Sequence, residues 1–270
     1  VSKSVSHHIL SINESQFKVP QHPFWDQFSD QWEPKTHNFF QRNLEKGSSF
    51  LDVGGWVGPT AFIATSLGAR KVKIIEPNPL NFFHLLSSQF SNGLMKSWFL
   101  INACISDQHG HKIIGPISAI ESGSSATNIR DQKQDGAQVI SLKLQDILHG
   151  EEDLSLIKID IEGAEELIVS DLSIFADHNA AIWLSLHPPF FQNKELFLQK
   201  LFALESTFVF VDEENAPLTN DIISYWVMSD EQKPVWGTSW GNFFEIGLLP
   251  RKHFQMDGNT FTRFSSNIIN

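Results

Sequence analysis

The sequence is poor in cysteine, in tyrosine and in positive charge. One cysteine, Cys104, in 270 residues cannot form an intramolecular disulfide, and a thiolate zinc site needs several cysteines. A reducing compartment, the cytoplasm, is therefore expected. Lys and Arg number 20 against 31 Asp and Glu, a formal net charge of −11. Phosphate backbones are bound by cationic side chains that release counterions, so no nucleic-acid partner is expected. No apolar run approaches the ~18 residues of a membrane span, and VSKSVSHHILSINESQF at the N-terminus has no apolar signal core. Neither a membrane span nor a targeting segment is expected from these residues.

What is present is ring surface, with 23 Phe and 8 Trp against the 1 Tyr. Such a surplus asks for a substantial core or an aromatic-lined pocket. At roughly 150 residues per domain, the length fits one large α/β domain with an appendage. Residues 1–34 are polar and broken by Pro20, Pro23 and Pro34, with Phe24, Trp25, Phe28 and Trp32 crowded between them. They read as an N-terminal arm that docks its rings on the core, or as a lid over a pocket; residues 35–270 form the main domain.

From Ser48 onward, apolar runs alternate with helical segments. Strands are predicted over 49–53, 71–76, 98–101, 139–144, 156–160, 181–186, 207–211, 223–228 and 242–248, and helices over 35–45, 59–67, 79–90, 164–170 and 194–204. The early strands are almost continuously apolar, as suits parallel strands covered on both faces. In the helix opened by Asn78 and Pro79, the stripe Phe82, Leu85, Leu86 and Phe90 should face the sheet. The pattern predicts a doubly wound, mostly parallel α/β sheet with an antiparallel pair near its end. Residues 110–137 break the rhythm with SGSSATN at 122–128 and read as a long functional or mobile loop.

Three segments carry chemistry. In FLDVGGWVGPTAFIATSLGARKVKIIEPNP, residues 50–79, a strand ends at Asp52. Gly54, Gly55 and Gly58 then allow a tight turn with close backbone approach to a ligand, and a helix starts at Pro59. Glu76 closes the next strand, where an acid can hold both ribose hydroxyls. The acid before the glycines would repel a pyrophosphate but suits a cationic ligand such as S-adenosylmethionine. In LIKIDIEGAEELIV, residues 156–169, Asp160 ends a buried strand and Glu162 follows two residues later, so both carboxylates point the same way in an extended chain. They can hold a divalent cation or act as a base; Glu162 can equally serve the positive end of the following helix. Lys158 reads as a partner for these acids. In LSLHPPFF, residues 184–191, His187 closes the next strand, positioned to complete an Asp, Glu, His metal site or to take a proton itself.

Together DVGGWVG (52–58), EPNP (76–79), SGSS (122–125), VISLKLQDIL (139–148) and KIDIEGAE (158–165) resemble the FkbM-type methyltransferases, a branch of the class I S-adenosylmethionine-dependent enzymes. The likeness is clear over residues 48–190 and weaker at NFFEIGLLP; Gly55 stands where the family commonly has alanine. It implies a Rossmann-like seven-stranded sheet and O-methylation of a sugar, glycan or glycosylated natural product, with S-adenosyl-L-methionine as cofactor. Asp52, Gly54, Gly55 and Gly58 would cradle the cofactor, Glu76 and Asn78 would lie at its ribose, and Asn102 with Ala103 or Cys104 at its adenine. Asp160, also near the cofactor, would act with Glu162 and His187 on the acceptor, alone or through a divalent metal such as Mg2+. Trp25, Trp32, Trp56, Phe190 and Phe191 are candidates for a ring-lined acceptor site. Two other readings stay open: transfer to a nitrogen or a non-sugar small molecule, and a non-catalytic S-adenosylmethionine-binding or interaction domain.

Overall fold

A strand that is apolar on both faces has to be covered on both, and the strands predicted over 49–53, 71–76, 156–160 and 181–186 lie inside one sheet. The structure, a computed structural model, describes residues 7–29, 32–130, 135–151, 153–229, 243–257 and 260–263. The chain opens with β1 (His7–Ile12), β2 (Ser15–Pro20) and α1 (Pro34–Asn43). Next come β3 (Ser49–Val53), α2 (Pro59–Ser66), β4 (Lys71–Ile75), α3 (Pro79–Ser91) and β5 (Trp98–Ile101). Then follow β6 (Cys104–Ile105), β7 (Gly110–Gly115), α4 (Ile117–Glu121), β8 (Asn128–Arg130), β9 (Ala137–Leu142) and α5 (Leu144–Ile147). β10 (Leu154–Ile159), α6 (Glu165–Ile168), β11 (Ala181–Leu186), α7 (Lys194–Ala203), β12 (Phe208–Val211), α8 (Asn220–Met228) and β13 (Phe244–Pro250) complete the main body, with β14 (Phe254–Asp257) and β15 (Thr260–Arg263) as a final hairpin.

Among the described residues the large sheet has seven strands in the order β12-β13-β11-β10-β3-β4-β5. β13 runs antiparallel to both of its neighbours, and the other pairings are parallel. This is the doubly wound, Rossmann-like seven-stranded sheet that the sequence predicts. From β3 the chain first steps outward through β4 to β5, then returns to β10 on the other side of β3 and continues to β11. The direction of winding therefore reverses between β3 and β10, and ligands of open α/β sheets bind at the carboxyl edge of such a reversal. Side-chain alternation splits the core: Leu51, Val53, Ile157, Ile159, Ile182 and Leu184 fill one face, and Phe50, Val72, Ile74, Leu156 and Trp183 fill the other.

The second face also takes in the N-terminal hairpin. β1 and β2 pair antiparallel with Leu10 opposite Phe17, and Phe17 meets Phe62 of α2 at a ring-centroid distance of 4.7 Å. Trp25 is buried beside the same ring. α1 stacks Phe39 on Trp183 of β11 at 4.4 Å.

Three sequence expectations are corrected. Residues 223–228 are helix and not strand: Thr219 caps α8 by accepting a hydrogen bond from the Ile222 amide, and Ile223 and Val227, one turn apart, are buried while Ile222, Tyr225 and Met228 face solvent. A short apolar run has no period that separates the two cases. Phe90 is 67% exposed, because α3 turns Asn81, Leu85, Ser88 and Gln89 inward; the Gln89 amide donates to the Trp98 carbonyl, so polar side chains with backbone partners displace the aromatic stripe. Residues 110–137 are an added layer and not a bare loop, since β7, β8 and β9 form a four-stranded sheet with β6. Residues 131–134 of this stretch lie outside the described residues. Among those described, no helix is long and apolar enough to cross a membrane.

Candidate active site

The carboxyl ends of β3, β4, β10 and β11 open into a cavity of about 710 Å3, in the range that holds a cofactor or drug-sized ligand. The turn after β3 is tight at its base. Gly54 has φ +88°, and a Cβ there would lie 1.8 Å from the Asp160 carbonyl oxygen. The Gly54 and Gly55 amides both donate to the Ile75 carbonyl, at 2.9 and 3.1 Å. The turn is therefore locked to β4 on one side and to the end of β10 on the other. Trp56 follows in the left-handed region, φ 48°, and its amide donates to Glu76 Oε2 at 2.8 Å. The Asn78 amide donates to Glu76 Oε1 at 2.8 Å. These two bonds aim the Glu76 carboxylate, while burial pushes its pKa up to about 8.

Gly54, Gly55, Glu76, Ala103 and Cys104 line the cavity with Asp160, Glu162 and His187. The remaining sequence candidates stand behind it. Asp52 is fully buried, and its Oδ2 accepts from Thr60 Oγ1 at 2.6 Å, which fixes the first turn of α2. Burial raises its pKa to about 6. Gly58 caps α2 at φ +98°, where a Cβ would press on Leu85. Asn78 caps α3 through the Leu80 amide. Asn102 is exposed and donates to the carbonyls of Glu76 and Pro77. Of the five proposed rings, Trp32, Trp56 and Phe190 line the cavity. Trp25 and Phe191 are packed in the core.

The second cluster is built on the turn between β10 and α6. The chain does not stay extended past Asp160, as the sequence suggested: Glu162 sits at φ 54° and Gly163 at φ 100°. A Cβ on Gly163 would lie 2.5 Å from Phe190 Cβ. This bend swings Glu162 back toward His187, which the parallel β10–β11 pairing places alongside. Asp160, Glu162 and His187 each offer a ligand atom, all within 4.8 Å of one another. His187 Nε2 lies 3.5 Å from Asp160 Oδ1 and 3.7 Å from Glu162 Oε2. Its Nδ1 lies 3.0 Å from Glu165 Oε1. Glu165 is fully buried and also accepts from the amides of Ile161 and Gly163, both at 2.9 Å. One carboxylate thus closes the turn and orients the imidazole.

Lys158 Nζ donates to Asp160 Oδ2 at 2.6 Å. Burial disfavours charge on both, yet Lys158 and His187 together hold the Asp160 carboxyl below the usual range. Burial likewise opposes charge on His187, but Glu165, Glu162 and Asp160 outweigh it and lift its pKa to about 10. Burial raises Glu162 to about 7.

Several lining residues were not named as site candidates from the sequence, although Phe24 stood in the arm read as a possible lid and Ser124 and Ser125 in the SGSS segment. Glu33 sits at the start of α1 at φ 43° and Glu245 on β13. Phe24 comes from the arm, Asn81 from α3, and Phe243 and Phe244 from the C-terminal segment. Glu165 was visible only as a letter in KIDIEGAE. The added layer supplies Ser124–Thr127, and Trp56 Nε1 donates to the Gly123 carbonyl at 2.7 Å.

These shifts set how the stability of the ligand-free protein varies with pH. Glu33 and Glu76 move from 4.5 up to about 8, and Asp52 from 3.8 up to about 6. The folded chain therefore binds protons that the unfolded chain has released, and stability falls as pH rises through these windows. His187, raised from 6.5 to about 10, contributes stability that is complete below 6.5 and lost as pH rises through 10. Asp160, depressed, acts oppositely, but only in acid. The melting temperature should fall steadily between about pH 6 and pH 9 as these groups release their protons. A flat or rising profile by differential scanning fluorimetry would contradict these protonation states.

No family profile matches the chain, and no curated protein matches it. Among solved structures, an FkbM methyltransferase from Methylobacillus flagellatus aligns at 14% identity over 75% of this chain and 43% of its own, TM-score 0.45. A protein provisionally named an rRNA methylase from Clostridium thermocellum aligns at 9% identity over 80% of this chain and 94% of its own, TM-score 0.48. An rRNA methylase from Streptococcus thermophilus aligns at 9% identity over 85% of this chain and 97% of its own, TM-score 0.44. The chain thus spans less than half the length of the first of these. The fold rests on the strand order above, and the chemistry rests on the residues of the cavity.

Proposed function

We propose that the protein is an S-adenosylmethionine-dependent methyltransferase acting on a hydroxyl of a sugar-like acceptor. The observation that carries this reading is that the glycine turn with Glu76 and the Asp160, Glu162 and His187 cluster open into one cavity, at the reversal between β3 and β10. The cofactor fits the residues present. Gly54 leaves the backbone bare at the turn, and Asn81, in the cavity wall beside Glu76, has a buried Oδ1 with no hydrogen-bond partner. Glu76 and Asn81 would take the ribose hydroxyls, and Ala103, Cys104 and Ile105 would flank the adenine. When bound, S-adenosylmethionine supplies a methyl group on a cationic sulfur that leaves as a neutral thioether.

The chain must align the acceptor oxygen and remove its proton. Glu162, with its pKa near 7, suits the proton acceptor, because a base works best when its pKa lies near the working pH. His187 already holds a proton in the metal-free cluster, so the base role expected for it passes to Glu162. A divalent cation also fits Asp160, Glu162 and His187. Glu165 on the far imidazole nitrogen is the outer carboxylate that accompanies ligating histidines. Such a cation would lower the pKa of the acceptor hydroxyl by several units.

The test is transfer of labelled methyl from S-adenosylmethionine to a panel of sugars, glycans and small alcohols, with and without magnesium. Labelled ether product is expected, together with a rise in melting temperature on adding the cofactor. Absence of both would overturn the reading. Exhaustive chelation separates its two versions: a loss of about 100-fold or more, restored by magnesium, is expected if the cation is part of the site, and unchanged activity leaves Glu162 as the base alone.

A further inference from the structure

Carboxylates outnumber cations in the wall of the cavity. Glu33, Asp160, Glu162 and Glu245 line it with only Lys158 and His187 to balance them. Both cations are committed, Lys158 to Asp160 at 2.6 Å and His187 to Glu165 at 3.0 Å. Lys35, the next cation along α1, pairs with Glu213 at 3.7 Å. Lys158 also acts on Glu33 and Glu245, so one ammonium is shared among several acids.

These two acids are not incidental surface groups. Glu33 is aimed by a relay from the sheet: Trp183 Nε1 donates to Thr36 Oγ1 at 3.0 Å, and Thr36 Oγ1 donates to Glu33 Oε2 at 2.9 Å. Thr36 and Trp183 are fully buried, so the relay cannot be replaced by water. Glu245 lies on β13 opposite Ser185 of β11, half-buried in the cavity wall, and its carboxylate accepts no hydrogen bond from any described residue. A carboxylate drawn out of water without a donor is costly. A fold that places it beside Glu33 in one cavity gains when a ligand brings further positive charge. Phe24, Trp32, Phe190, Phe243 and Phe244 line the same cavity, and the faces of such rings attract cations as well as sugar C–H groups.

We propose that the acceptor carries a basic nitrogen beside the hydroxyl that is methylated, as an amino sugar does, and that Glu33 and Glu245 hold the resulting ammonium group. This assignment rests on the methyltransferase reading above. The nitrogen is an anchor and not the methylated atom. It also accounts for an excess of acids that a neutral sugar would leave in place, since hydroxyl donors supply hydrogen bonds but no net charge.

The experiment uses matched probes, glucosamine and amino-bearing oligosaccharides against their N-acetylated counterparts, with the wild-type protein, Glu33→Gln and Glu245→Gln. Binding is read by calorimetry in the presence of S-adenosylhomocysteine, and transfer by labelled methyl. The wild type should favour the amine at pH 7 by about 30-fold or more. Each glutamine variant should reduce that preference about tenfold, the equivalent of ~1.4 kcal/mol, through binding and KM with little change in kcat. The melting-temperature rise given by S-adenosylmethionine should be the same in all three proteins. Equal binding of amine and N-acetyl probes by the wild type, or a preference untouched in both variants, would overturn the proposal. Amine-selective binding without methyl transfer would instead keep the ammonium site and remove the transferase reading. Transfer without amine selectivity would do the reverse.

Discussion

Glu162→Gln should lower methyl transfer by about 10²–10⁴-fold, the range for losing a positioned general base, while the cofactor-induced rise in melting temperature remains. The substitution keeps the size and the left-handed backbone of a residue at φ 54° and removes only the capacity to take a proton. With its pKa at about 7, Glu162 should also give the wild type a kcat/KM that rises with pH through about 7, as the carboxyl becomes the ionised, proton-accepting form. The variant should lose that limb. The same large loss is expected if a divalent cation is held there, because Glu162 is one of its ligands; the chelation experiment tells the two apart. A variant keeping more than about a third of wild-type activity with an unchanged pH profile would remove Glu162 from the chemistry.

Gly54→Ala should unfold the cofactor side of the molecule. The new methyl would lie 1.8 Å from the Asp160 carbonyl oxygen at a φ of +88° that alanine rarely adopts. Neither partner can move freely: the Gly54 amide is bonded to Ile75 at 2.9 Å, and the Asp160 amide to Val53 at 2.9 Å. Relief requires parting β3 from β10 at the wall of the cavity. A loss of about 4 kcal/mol, at the upper end for single substitutions, should appear as a melting temperature roughly 10 °C lower and no stabilisation by S-adenosylmethionine. Gly55→Ala is the internal comparison. Its Cβ would press on Ile74 Cγ2, a side-chain methyl at 2.2 Å, and its backbone is not left-handed. About 1–2 kcal/mol is expected there. If the two variants melted together, the locked turn would not be the constraint described.

Much of the sheet could be read from the sequence because covered parallel strands have an unmistakable composition. β5 and β11 lie where their apolar runs do, at 98–101 and 181–186. The acid-bearing strand ends at Asp160 and Glu76 and the histidine closing β11 were legible for the same reason, since chemistry interrupts an otherwise apolar run. α8 was not, because five or six apolar residues fit either period until a partner surface chooses. Of the added sheet only β9 was foreseen, as the strand over 139–144, because the other strands pair across the break at 116–127 and leave no repeated pattern along the chain. Glu33 and Glu245 were hidden for a different reason. Each reaches the cavity through tertiary placement, one by an arm before Pro34 and the other by a strand that runs against the rest. Glu165 lay inside a recognised motif, but its work of accepting from Ile161, Gly163 and His187 at once depends on a bend that extended-chain reasoning did not foresee.

Trp56 joins parts of the protein that are far apart in sequence. Its ring touches Phe24 of the arm at 4.4 Å between centroids, its indole N–H holds the Gly123 carbonyl of the added layer, and its amide holds the Glu76 carboxylate. The arm, the added layer and the Glu76 carboxylate therefore share one anchor, and displacing any of them strains the same residue.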